Sequence, residues 1–179
     1  MESFLESYHD LEYPATVTDR VDELIASWRT ELPAALGPTS ELSKRVLLLA
    51  AELSEATRRE TDRLGLTTAE FDVLVTLRRV GGPCRLKSNE LSRSLLLSTG
   101  GTSNVVNRLA DRGLVRRDPN PDDGRSALIT LTEQGRALAE DAVLANTAAQ
   151  EAVFAGVPRG ALRAATVGLR AVIKAKDGR

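Results

Sequence analysis

The sequence predicts a mainly α-helical fold with one small β-hairpin, on three observations. Apolar residues recur at helical spacing over most of the chain. Two strand-like runs, Leu114–Arg117 and Ala127–Leu131, flank the turn-forming stretch Asp118-Pro119-Asn120-Pro121-Asp122-Asp123-Gly124. Capping residues, glycines and prolines mark off the remaining segments. With 179 residues, 42% apolar and 27% charged, the chain suffices for one compact globular domain.

The elements follow in order. Val21, Leu24, Ile25 and Trp28 form one helical stripe after Thr16 and Thr18, and the helix stops near Pro33. Leu36-Gly37-Pro38 breaks the chain. Thr39 or Ser40 then caps a long helix carrying Leu42, Val46, Leu49, Leu53 and Ala56, which ends at Gly65. Thr67 with Glu70 reads as a capping box opening a helix with Phe71, Leu74, Val75 and Arg78, and Gly81-Gly82-Pro83 terminates it. Ser88 caps a short helix with Leu91 and Leu95. Ser98 or Thr99 caps another that runs to Asp111 and closes on Gly113. After the hairpin, Thr132 caps a helix reaching about Phe154, and a last helix past Pro158 carries Leu162, Leu169, Val172 and Ile173. Two short helices, the second more polar, followed by a hairpin make a helix-turn-helix with a wing.

Several classes are excluded. The longest apolar run, Val46–Ala51, is far short of the ~20 residues a membrane-spanning helix needs, so no membrane partner is expected. The acidic start Met1–Asp10 lacks the pattern of a secretory signal. A single cysteine, Cys84, leaves no internal disulfide or cysteine-rich zinc site, and a cytoplasmic location is expected. No glycine-rich cofactor loop on a βαβ unit and no nucleophile–base pair is visible, so neither an enzyme nor a cofactor is expected. His9, the lone histidine, supports neither metal binding nor acid–base chemistry.

The net charge of −1 conceals an uneven distribution. Between Arg78 and Arg125 stand ten basic and five acidic residues, a local charge of +5 against −6 on the rest. A basic middle between acidic ends suits a segment that meets double-stranded DNA, although a charge cluster is also what a solvated face looks like. On the second short helix Val106 and Leu109 share one face, while Gly100, Asn104, Asn107 and Asp111 lie opposite. Ser103, Asn104 and Asn107 are therefore candidates for reading base edges, with Arg108 on the flank for a phosphate or a groove-edge base. Ser88, Ser98 and Thr99 at the helix starts complete the candidate DNA contacts together with Gly101. Gly100 and Gly101 either admit the backbone close to phosphate or simply weaken the first turn. Arg125 projects from the wing, either into a narrow minor groove or into solvent. Asp123 holds it or closes the turn.

Taken together, Phe71–Arg79, Leu86–Ser98, Asn107–Val115, Asp123-Gly124-Arg125 and Leu131–Gly135 resemble the winged-helix region of MarR-family transcription regulators, over roughly residues 39–175. The resemblance implies a homodimer with interleaved terminal helices, two lobes on a palindromic operator, and a small ligand that releases it: a ligand-responsive repressor. It divides the chain into a tail at 1–15, dimerisation and pocket-wall helices at 16–66, a winged helix-turn-helix at 67–131 and dimerisation helices at 132–175. The usual Asp-Arg-Arg of the wing is here Asp123-Gly124-Arg125, which leaves Arg125 as the minor-groove residue.

The extra N-terminal helix with Trp28 resembles the urate-responsive branch of the family. There a tryptophan, an aspartate and two arginines hold the ligand. Trp28, Asp72 and Arg117 match, but Val105 stands where the second arginine is expected, which removes a cationic partner for an anionic purine. The residues also read more simply. Trp28 lies on an apolar stripe and suits a core or interface, and Asp72 caps its helix or pairs with Arg78 or Arg79. As a group they suit a small planar or anionic effector. Cys84, beside Arg85 and Lys87, is either an activated or an inert thiol, and its position differs from that of redox-sensing family members. The alternative function is a winged helix that contacts proteins instead of DNA.

Overall fold

The computed structural model describes residues 18–95, 99–121 and 127–178. In chain order these hold α1 (Arg20–Glu31), a 3-10 turn (Pro33–Ala35), α2 (Ser40–Arg63), α3 (Thr68–Arg79), β1 (Arg85–Lys87), α4 (Ser88–Leu95), α5 (Thr99–Asp111), β2 (Val115–Pro119), β3 (Ala127–Leu131), α6 (Glu133–Val153) and α7 (Arg159–Asp177). The fold is mainly α with a small antiparallel sheet. It comprises two compact units, one of residues 1–50 with 154–179 and one of residues 51–153.

In the first unit, α1 follows Thr18 and its N-cap is Asp19. Asp19 Oδ1 accepts the backbone N–H groups of Val21 (2.8 Å) and Asp22 (3.1 Å), and Asp22 returns the bond to the Asp19 N–H at 2.8 Å. A carboxylate suits this position because its charge also meets the positive end of the helix dipole. Thr16 lies outside the described residues. Val21 and Ile25 are buried one turn apart, while Leu24 and Trp28 of the same stripe remain 40% exposed. Arg45 of α2 donates to Asp19 (2.9 Å) and Asp22, tying α2 to the first turn of α1. Leu42, Val46, Leu49, Leu169, Val172 and Ile173 on α2 and α7 are exposed apolar side chains.

The second unit has the larger core. The capping box forms as its spacing predicts: Glu70 N–H donates to Thr67 Oγ1 at 3.2 Å, and Thr67 N–H donates to Glu70 Oε2 at 2.8 Å. α3 then buries Phe71, Val73, Leu74 and Leu77 against Leu91 of α4, Val105, Val106 and Leu109 of α5, and Ile129 and Leu131 of β3. Each such side chain contributes about 1.5–3 kcal/mol by leaving water. α6 joins the same core through Ala139 and Ala142, and Arg78 reaches across to Glu140 at 2.7 Å. Thr132 caps α6 as expected, its Oγ1 accepting the Gly135 N–H at 3.0 Å and donating to the Gly113 carbonyl at 2.7 Å.

The sheet differs from a simple hairpin. It has three strands in the order β1-β3-β2, both pairings antiparallel. β1 was not expected, because Arg85-Leu86-Lys87 is too short to show alternation and is ordered by the free edge of β3. β2 begins and ends later than the sequence run, at Val115–Pro119. The register puts Leu86 and Arg117 opposite Ile129, hence on one face, and Arg85, Arg116 and Thr130 on the other. Ser88 is not a cap. Its hydroxyl donates to the Ala127 carbonyl at 3.3 Å, and Glu90 takes over the cap by accepting the Lys87 N–H at 3.1 Å.

Candidate nucleic-acid interface

The site is the outer face of α5. Thr102, Val105, Val106 and Leu109 turn inward and are buried, so the helical period leaves Ser103, Asn104, Asn107 and Arg108 exposed in one strip. Gly100 opens the same strip, and a Cβ there would meet no other atom within 4 Å, so its backbone is openly accessible. Gly101 is half-buried beside it. Thr99 is the first residue of α5, while Ser98, Asp123 and Arg125 lie outside the described residues.

Both flanks of the strip are anchored. On the α3 side, Arg108 Nε donates to Glu70 Oε1 at 3.3 Å and Arg112 Nη1 to Glu70 Oε2 at 3.5 Å. Glu70 is 4% exposed. Burial by itself would raise its pKa, but the Thr67 N–H and hydroxyl with the two guanidinium groups outweigh that and hold the carboxyl below its ordinary value. On the wing side, Arg117 Nη2 donates to Asn107 Oδ1 at 2.8 Å. Arg116 turns to the opposite face, where it and Thr130 donate to Asp118 at 3.0 and 2.8 Å. The side chain of Asn104, between the flanks, makes no hydrogen bond among the described residues.

Sequence reasoning missed Glu70, which it read only as a cap. The signal was present in the spacing of Arg108 and Arg112, four residues apart on one helix face, which lets both reach one carboxylate. Ser88 is half-buried and engaged with β3.

The residues of the expected effector pocket fall in both units, Trp28 in the first and Asp72, Val105 and Arg117 in the second. Val105 is buried in the core beside Val106. Arg117 is engaged with Asn107. Asp72 stands at the surface of α3 and forms no bond with Arg78 or Arg79, since Arg78 pairs with Glu140. Neighbouring atoms strip water from part of its carboxylate and raise its pKa above the ordinary value. Cys84 is buried, and its carbonyl accepts the Leu131 N–H at 3.0 Å. Among the described residues there is no cluster of metal-ligating side chains, and no helix is long and apolar enough to cross a membrane.

Comparison with known proteins agrees with this geometry. A family model described as MarR family matches residues 64–126. The HTH-type transcriptional regulator PecS of Dickeya dadantii (strain 3937) is 30% identical over 125 residues, covering 66% of this chain and 71% of PecS. A crystal structure of a mutant MarR from E. coli complexed with operator DNA superposes with a TM-score of 0.63 at 22% identity, covering 81% of this chain and 96% of that one. A structure of Bordetella bronchiseptica BpsR, whose DNA binding is regulated by 6-hydroxynicotinic acid, gives 0.63 at 23% identity, with 76% and 96% covered. The two structures establish the fold, and PecS the kinship: the chain belongs to the MarR family of winged helix-turn-helix transcription regulators.

Proposed function

We propose that the protein is a ligand-responsive repressor that binds a palindromic operator as a homodimer, each copy laying α5 in a major groove and its wing along the adjacent minor groove. The observation that carries the reading is the exposed Ser103-Asn104-Asn107-Arg108 strip on a helix whose other face is locked into the core. Asparagine and hydroxyl side chains match base edges, and a rigid base holds them in register. Fold kinship with MarR, solved on operator DNA, supports the placement. In this reading Arg125 enters the minor groove, supported by Asp123, while Ser98, Thr99 and the N–H groups near Gly101 meet phosphate.

The dimer reading rests on apolar surface. Leu42, Val46 and Leu49 on α2 and Leu169, Val172 and Ile173 on α7 remain exposed within the unit formed by the terminal helices, apolar side chains of the kind that association covers. A second copy of the chain is the natural cover.

The effector is a small planar or anionic molecule, for which Trp28, Asp72 and Arg117 are separate candidate contacts, and BpsR, whose DNA binding is regulated by 6-hydroxynicotinic acid, supports the class. Such an effector changes operator affinity only by its differential binding to the two arrangements of the dimer.

Gel-shift titration against the protein's own promoter region tests DNA binding. A palindromic site preferred over random duplex at moderate salt, with affinity falling steeply as salt rises, is expected. Equal affinity for both would overturn the reading. Light scattering of the Leu169→Glu/Ile173→Glu double variant should give a monomer where the parent gives a dimer. Thermal shifts against purines, phenolics and aromatic carboxylic acids test the effector: a shift that survives Trp28→Ala and Asp72→Asn places the ligand elsewhere.

A further inference from the structure

The strip on α5 carries two asparagines three residues apart, and they are not chemically equivalent as the structure holds them. Asn107 is clasped by Arg117, whose Nη2 lies 2.8 Å from Oδ1. A guanidinium has donors and no acceptor, so the carboxamide atom facing it must be the oxygen, and the orientation of the amide follows. With one lone pair of its oxygen engaged by a cation, Asn107 keeps its NH2 group as the wholly free side of the amide. The side chain of Asn104 is exposed and makes no hydrogen bond among the described residues, so both its oxygen and its NH2 group are open to a ligand.

The position of Arg117 is a consequence of the sheet. Its partner in the β2–β3 register is Ile129, which is buried, so Arg117 emerges on the face turned toward α5. Arg117, Ile129, Ser103 and Val106 together line a cavity of about 20 Å³, room for one water molecule at most.

Resting on the DNA reading above, we propose that Arg117 is a specificity-positioning residue that makes Asn107 a reader of guanine, while Asn104 reads adenine. In the major groove adenine offers an acceptor at N7 and a donor at N6, which needs both the oxygen and the NH2 of an asparagine. Guanine offers acceptors at N7 and O6, which needs two donors. An asparagine whose oxygen already accepts from a guanidinium matches guanine with its free NH2 group, whereas the N6 donor of adenine must share that oxygen with Arg117 or displace it. Two identical side chains on one helix then read different bases because a strand residue ten positions away occupies one of them.

The test is equilibrium binding of the full chain to duplexes in which each base pair of its selected site is changed in turn, at one salt concentration. Wild type, Asn107→Ala, Arg117→Ala and Arg117→Met are compared, the methionine keeping an apolar stem over the small cavity. The position whose discrimination Asn107→Ala abolishes should prefer guanine over adenine in the wild type, by on the order of 10-fold. Both Arg117 variants should shift that same position toward adenine, with melting curves like the parent's. A wild-type preference for adenine at that position overturns the inference. So does an unchanged preference in Arg117→Met, or a site at which no position responds to Asn107→Ala. A wild type that selects no site at all fails earlier and removes the DNA reading together with this one.

Discussion

Arg108 Nε lies 3.3 Å from Glu70 Oε1, joining α5 to the first turn of α3 across 38 residues of sequence. The carboxylate that caps α3 is therefore also the counter-charge for α5, and one residue sets both the start of a scaffold helix and the charge on the outer strip of α5.

Glu70→Gln separates these roles, because glutamine still completes a capping box while the charge is removed. A loss of about 1–2 kcal/mol in urea unfolding at pH 7 is expected from the weakened bonds to a buried acceptor. Since the folded carboxyl titrates below its usual 4.5, its contribution is complete above that pH and is lost as pH falls through the folded value. The gap between wild type and variant should accordingly close in acid. Released from Glu70, Arg108 and Arg112 should add up to about 0.9 to the salt slope of DNA binding for each new phosphate contact.

Gly135→Ala should be among the most damaging small substitutions. A Cβ at this position would stand 1.8 Å from the Leu114 carbonyl oxygen and 2.8 Å from its carbon, both backbone atoms that cannot rotate aside. Relief requires moving the start of α6 off the strand, and a loss of at least about 2 kcal/mol by chemical denaturation is expected. Equal stability of the two proteins would contradict the close approach.

Asp72→Asn should stabilise. The folded carboxyl titrates above its usual 3.8, so ionisation is disfavoured by the fold and stability declines as pH rises through that interval. The variant should melt above wild type at pH 7, and the two curves should converge below pH 3.8.

Val105→Arg, which would restore the arginine of the urate-responsive branch, should unfold the lobe and not create an anion site. Val105 is 6% exposed among Val106, Leu109 and Ile129. An unpaired guanidinium there costs more than about 3 kcal/mol, readable as a collapse of the thermal transition.

Much of the fold was legible from short-range chemistry. The Thr67/Glu70 capping box, the Thr132 cap, the turn at Gly113 and the two faces of α5 depend on residues three or four apart, so sequence spacing alone specified them. The cap of α1 was not legible, because Asp19 stands next to Thr18 and only hydrogen-bond geometry selects it. β1 escaped notice because a three-residue edge strand has no pattern of its own, and its order comes from Leu128, Ile129 and Thr130 some forty residues later.

For the candidate interface the division is similar. The sequence by itself determined that α5 has a polar outer strip within a locally basic segment, because helical periodicity and charge are properties of consecutive residues. What each polar group in that strip is free to do was decided only by the tertiary structure. Glu70 arrives from α3 to take Arg108, Arg117 arrives from β2 to take the oxygen of Asn107, and packing draws Val105 inward. Hydrogen bonds and burial are set by distances between chain segments far apart in sequence, and those distances exist only once the core has closed.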